Sequence, residues 1–292
     1  HQNHIAMETI IGRKEEIKKL EALSISRRPE FLALYGRRRV GKTFLINQVF
    51  KEHFAFKMTG VIEGSLQDQF TAFTDAMEEY GYEVSEPLKD WMSAFIMLKN
   101  ALKKTKESTQ HCVIFIDELP AMDAGNSNVA SAIGYFWNNW ASLQENILLI
   151  ICGSATSWMI TNVIDSKGGL HDRLTDEMHI HPFSLKETEE YLNANMFIWN
   201  RLMTLQTYMV FGGIPYYLSL LSPKYGLTEN IDRLFFSADA ELDTENQRLF
   251  KSLFKNPQPY LQIVQLLTEH KRGLTRNEIS EKIGKETGGH LS

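Results

Sequence analysis

The sequence is short of three things, and each shortage excludes a class of protein. Only two cysteines, Cys112 and Cys152, occur in 292 residues, so a disulfide framework is excluded. Each lies in an apolar, strand-like run, the setting of a reduced, buried thiol in a cytoplasmic protein. Long apolar runs are also missing. The longest, Ile147 to Cys152, falls far below the ~20 residues of a membrane-spanning helix, and the N-terminus has no charged-then-apolar secretion pattern. A soluble chain with no membrane partner is expected. Excess positive charge is the third shortage. The formal net charge is -5 and the pI about 6.0, so no global field draws the molecule to nucleic acid, and any such contact has to be local.

What is present is a globular composition, 43% hydrophobic, with enough chain for two or three units. Met7 stands just ahead of the first patterned segment and is expected to lie nearer the natural start than His1. The most informative stretch is Gly36-Arg37-Arg38-Arg39-Val40-Gly41-Lys42-Thr43. It follows an apolar run of strand character, Phe31 to Tyr35, and leads into helical spacing from Thr43 to Phe50 through Phe44. That is the strand, loop and helix context of a phosphate-binding loop. Glycine lets backbone N–H groups approach a phosphate, the helix N-terminus adds partial positive charge, Lys42 is placed to reach the β- and γ-phosphates, and the Thr43 hydroxyl to ligate Mg²⁺.

A second motif, His111 to Glu118, reads as a strand buried on both faces that ends in two acids. Asp117 is placed to hold a Mg²⁺ shell beside Thr43, and Glu118 to orient or deprotonate a water. Ser65 with Asp68 marks the start of a helix ending near Gly81. Phe54 to Met58 reads as a strand, and Asp90 to Lys106 and Asn128 to Gln144 as amphipathic helices. A further strand, Ile147 to Cys152, ends at Gly153-Ser154, and a fifth, Met178 to Phe183, follows Gly168-Gly169-Leu170-His171-Asp172-Arg173. His179 and His181 alternate on that strand with no third ligand at metal-site spacing, so zinc is not indicated. From Ser184 the pattern is helical: 185–196, 201–211, 215–221, 228–236 and 245–254. Asn256-Pro257-Gln258-Pro259 marks a boundary, and beyond it two helices of a helix-turn-helix are expected, with Gly288 to Ser292 opening a recognition helix where the sequence stops.

Taken with Ile11-Gly12-Arg13 near the N-terminus and Phe211-Gly212-Gly213-Ile214-Pro215-Tyr216-Tyr217-Leu218, these motifs resemble the archaeal-type ATPase family, a group of P-loop ATPases related to AAA+ and STAND proteins. The resemblance spans essentially the whole chain. It implies an α/β core at 8–183 with a five-stranded parallel sheet in the order 5-1-4-3-2, a helical lid at 184–255 and a partial winged helix at 256–292. It further implies that Ile11, Gly12 and Arg13 close over adenine and that Pro215 lies against the adenine ring. In the same way Ser154 is the candidate to sense the γ-phosphate, with its neighbours Thr156 and Ser157 able to cap the next helix instead. Arg173 reaches a γ-phosphate within one subunit or across an interface, which admits a homo-oligomer or protein partner; the alternative is a solvated loop arginine. Arg37, Arg38 and Arg39 point to solvent, the lid or a neighbouring subunit.

Four functions fit unequally. An ATPase using ATP and Mg²⁺ leads. A switch that holds ATP or ADP and hardly turns over shares every motif. A small-molecule phosphotransferase would need an acceptor pocket, against which the helical tail argues. DNA binding would run through a complete C-terminal winged helix.

Overall fold

A computed structural model describes residues 10–283 except 52, 85, 105–111, 126, 166–169, 246–248 and 251–255. His111, the Gly168-Gly169 pair, most of the expected 245–254 helix and the expected recognition-helix start at 288–292 lie outside the described residues. The chain forms two compact units, His1–Tyr225 and Gly226–Ser292.

The first unit is built on five parallel strands, β1 (Glu30–Tyr35), β2 (Phe54–Thr59), β3 (Cys112–Asp117), β4 (Ile147–Gly153) and β5 (Asp176–His179), in the order β2-β3-β4-β1-β5. This is the order the family resemblance implies, read from the other edge. Because side chains alternate along a strand, β1, β3 and β4 each feed two cores. Phe31, Ala33, Ile114, Ile116, Leu149 and Ile151 face one side; Leu32, Leu34, Val113, Phe115, Leu148 and Ile150 face the other. Helices cover both faces, as a buried parallel sheet requires.

The first face is packed by α3 (Leu66–Glu79), α4 (Trp91–Lys104) and α6 (Val129–Asn139), which follow α1 (Lys14–Ser24) and α2 (Lys42–Phe50) on the second face; α5 is the short turn Leu119–Met122. Trp91 anchors the first layer. It is 1% exposed, lies edge-on to Phe70 at 5.2 Å between ring centres, and donates its indole N–H to Ser127 Oγ at 3.0 Å. At the sheet edge the Tyr82 hydroxyl donates to the Ala55 carbonyl of β2 at 2.7 Å.

Two expected elements differ. The 128–144 segment is not one helix: α6 stops at Asn139, Trp140 leaves helical geometry (φ -155°) with its ring 5.3 Å from that of Phe136, and a separate turn spans Ala141–Leu143. The expected strand at 178–183 instead ends at His179, starting two residues earlier. Ile180 makes the last sheet bond, N–H to the Tyr35 carbonyl at 2.8 Å, Pro182 has no N–H to continue the ladder, and Phe183 N–H turns to the Gly213 carbonyl at 2.8 Å. After α7 (Thr156–Met159), α8 (Leu185–Ala194), α9 (Arg201–Phe211) and α10 (Pro215–Ser219) complete this unit.

In the second unit, α11 (Leu227–Ile231) runs into a wider turn, Asp232–Phe236. Further on come two helices, α12 (Gln258–Glu269) and α13 (Arg276–Ile283); Thr275 starts the second, its hydroxyl donating to Glu278 at 2.7 Å. No helix among the described residues is long and apolar enough to cross a membrane.

Trp91→Ala should lower the stability of this unit by about 3–5 kcal/mol, read as a lower urea midpoint. Ile25→Ala, at a side chain 78% exposed, should change it by less than about 0.5 kcal/mol.

Candidate functional site

The site forms where β1, β3 and β4 end. β1 stops at Tyr35 and Gly36 begins the loop at φ 149°; a Cβ there would stand 2.3 Å from the Ile180 carbonyl oxygen, so only glycine lets the loop leave this close beside β5. The loop closes at Gly41, left-handed at φ 89°, which caps α2 with no side chain over the helix end and open space where its own Cβ would be. The first-turn N–H groups of α2 carry partial positive charge, the setting that suits a bound phosphate.

Side chains then converge on this point. Lys42, 5% exposed, folds back so that Nζ donates to the carbonyls of Gly36 at 2.8 Å and Arg37 at 3.1 Å. The Thr43 hydroxyl donates to Asp117 Oδ2 at 2.6 Å, and the other Asp117 oxygen accepts the Glu118 N–H at 3.0 Å. Glu118 itself is left-handed (φ 48°, ψ 46°), a strain of about 1–3 kcal/mol for a residue with a Cβ. Its carboxylate accepts from Ser154 Oγ at 2.8 Å and Ser154 N–H at 3.3 Å. The structure thus unites Lys42, Thr43, Asp117, Glu118 and Ser154. A hydroxyl and a buried carboxylate at this separation are the oxygen donors a Mg²⁺ ion uses, so the residues present fit that ion.

Other expected residues are placed differently. Arg13 is buried, its guanidinium donating to the Val40 carbonyl at 3.1 Å and pairing with Glu16 at 3.3 Å, 4.8 Å above the Phe183 ring. Ile11 and Gly12 lead into it, half-buried. Arg39 turns to α10: its guanidinium lies 4.1 Å above the Tyr216 ring, and Tyr216, next after Pro215, turns its N–H to the Arg39 carbonyl at 3.5 Å. Pro215 opens α10. Arg37 and Arg38 are half-buried, Val40 is buried and Phe44 is exposed. Arg173 rests on α6, with Nε donating to Asn138 at 3.0 Å. His179 stacks on Tyr35 at 4.8 Å with His181 at 4.0 Å, and burial, then the second imidazole, lower its pKa.

Three residues near the site were not among the expected site residues. Tyr216 holds Arg39. Cys152 lies fully buried next to Asp117; burial first, then that carboxylate, push its thiol well above its ordinary value. Glu187 accepts from Arg13 N–H at 3.3 Å and from Ser184 at the start of α8. Burial works against its ionised form, but these hydrogen bonds outweigh it and hold the carboxyl below its usual range. That contribution to stability is complete above the ordinary carboxylate range and is lost as pH falls through the folded value. The Ser184-to-Glu187 spacing is a helix-start signature, so Glu187 was findable as a cap though not as a partner of Arg13. A cavity of about 960 Å³ lies along α4, lined by Tyr82, Leu88, Ile96 and Met97.

A parallel sheet with a glycine loop at the end of β1 and an acid pair at the end of β3 defines the P-loop class of nucleotide-binding domains. Within it, the chain belongs to the family of ATPase domains found predominantly in Archaea, whose model matches residues 10–221. It is 29% identical over 279 residues to the uncharacterised protein MJECL04 of Methanocaldococcus jannaschii, covering 93% of this chain but 57% of the relative, and so spans little more than half the relative's length. Its fold is similar to the Walker-type ATPase PABY2304 of Pyrococcus abyssi (16% identity, TM-score 0.63, 95% of this chain and 89% of that one). It is also similar to the ORC2 protein of Aeropyrum pernix in its ADPNP–ADP complexes (13% identity, TM-score 0.59, 94% and 81%).

Cys152 is fully buried and Cys112 partly so, and burial pushes the Cys112 thiol up to about 12. A thiol-disulfide reagent at pH 8 should therefore show no rapid reaction with native protein and should titrate both cysteines in denaturant; rapid native reaction would show that β3 and β4 are not buried as described.

Proposed function

We propose that this chain binds MgATP at the 36–43 loop and hydrolyses it, using the change between nucleotide states to move a helical lid against the core. The observation that carries the reading is the Thr43 hydroxyl on Asp117 at 2.6 Å with Glu118 next along the chain, held by Ser154 at 2.8 Å. Thr43 and Asp117 would hold Mg²⁺, whose charge would offset that of the phosphates. Lys42 exchanges the Gly36 and Arg37 carbonyls for phosphate oxygens. Glu118 orients a water, taking its proton as the water oxygen bonds to the γ-phosphorus and the bond to the leaving ADP oxygen breaks. Ser154, freed from Glu118, and Arg173 face the γ-phosphate, while Ile11, Gly12, Arg13 and Pro215 border the adenine. The parts are a core at 8–183, a lid at 184–255 and a winged-helix portion from 256, in a cytoplasmic protein. Any DNA contact belongs to a completed winged helix, and a homo-oligomeric or protein partner to the Arg173 side.

The second reading is a switch that retains ADP or ATP and turns over slowly. It is supported by the left-handed Glu118 backbone and by the two Ser154 donors on Glu118 Oε2, which would have to be released before that oxygen takes a proton from water.

Glu118→Gln should lower steady-state phosphate release about 10²–10⁴-fold with fluorescent-nucleotide binding kept, and Lys42→Ala should weaken that binding. Equal, negligible release by wild type and Glu118→Gln, with nucleotide still retained, selects the switch. Unchanged affinity in folded Lys42→Ala removes both readings.

A further inference from the structure

The Arg13 cluster does more than fill space. Gly12 and Arg13 are both left-handed, at φ 69° and 58°, and this turn aims the Arg13 N–H at Glu187 Oε1, 3.3 Å away. A Cβ on Gly12 would stand 2.8 Å from that same oxygen, so the turn is shaped to admit the carboxylate. The other oxygen, Oε2, accepts the Ser184 N–H at 2.8 Å and the Ser184 hydroxyl at 2.9 Å. One carboxylate therefore joins the N-terminal turn to the first residues of α8. On its other side Arg13 is fixed to the phosphate loop, its guanidinium donating to the carbonyl of Val40, the residue before Gly41, and its plane covering Phe183, the residue before Ser184.

The geometry points to Glu187 and Arg13 as positioning residues that pass a rearrangement of the phosphate loop to the N-terminus of α8. The route is short: Val40 carbonyl, Arg13 guanidinium and backbone, Glu187 carboxylate, Ser184. Any ligand that repositions the loop's carbonyls must move or strain Arg13, and Arg13 has α8 on its other face. By reciprocity, the position of α8 then biases ligand affinity at the loop. The chemistry needs an anion with two acceptor oxygens. An amide offers one acceptor, and its NH₂ would face a donor on the other side.

The inference rests on the nucleotide reading above, and the test keeps the two apart. Amide hydrogen exchange is followed by mass spectrometry on the full chain with and without MgADP, in wild type, Glu187→Gln and Ser184→Ala. In wild type, nucleotide should slow exchange in peptides covering 36–46 and 184–194, by about fivefold or more in the second. Glu187→Gln should keep the response at 36–46 and lose it at 184–194. Ser184→Ala loses the helix cap but not the Arg13 contact, so it should exchange faster at rest yet still respond. A nucleotide response at 184–194 in Glu187→Gln, or its loss in both variants alike, overturns the relay and leaves Glu187 as a cap. No response at 36–46 in wild type overturns the nucleotide reading itself, and the relay with it.

Discussion

The hydroxyl of Thr43 and the carboxylate of Asp117 meet at 2.6 Å, and that contact depends on nearly everything else in the first unit. Thr43 is on the first turn of α2 and Asp117 at the tip of β3, and β4 lies between β3 and the strand that feeds the loop. The two can touch only if β1, β4 and β3 lie in parallel with their ends level. The apolar strands secure this. β4 is buried at every position, and a one-residue slip would carry each of its side chains to the opposite layer. Core packing thus fixes the relative position of two polar atoms to within a hydrogen bond.

Polar groups at the strand ends draw their partners from one another. Lys42 satisfies carbonyls of its own loop, Asp117 takes a hydroxyl and an amide, and Glu118 takes two donors from Ser154. Buried charge is tolerable only in such company. On the proposed reading, a polyanion and its cation would offer Lys42, Thr43 and Asp117 stronger partners than those they hold here.

Much of this was legible in the sequence where the signal is local. The loop from Gly36 to Thr43 and the run ending at Asp117 and Glu118 announce themselves by residue type and spacing, and so do most of the strands. The strand order came from family resemblance, since no periodicity reports which strands are neighbours. What escaped was long-range. Arg13 and Glu187 are 174 positions apart, and Glu118 and Ser154 36. Their pairing follows from the packed fold, while their local patterns advertise only a turn and a helix start. The end of β5 escaped for a different reason: His179 to Phe183 looks extended throughout, and the hydrogen bond to Gly213 that turns Phe183 away belongs to a distant loop.

The hydroxyl that Tyr82 lends to the carbonyl of Ala55 sits on the outermost strand of the sheet. An outer strand is a template on which a stray peptide or a neighbouring molecule can add. One phenol occupies an acceptor on that rim, and Lys57, its ammonium donating to Asn47 at 2.9 Å and 5.7 Å above the Phe54 ring, sets a charge beside it. Lateral growth of the sheet into a neighbour is thereby discouraged by the chain's own side chains, and peeling away the segment that carries Tyr82 would bare that rim while the strands beneath stayed paired.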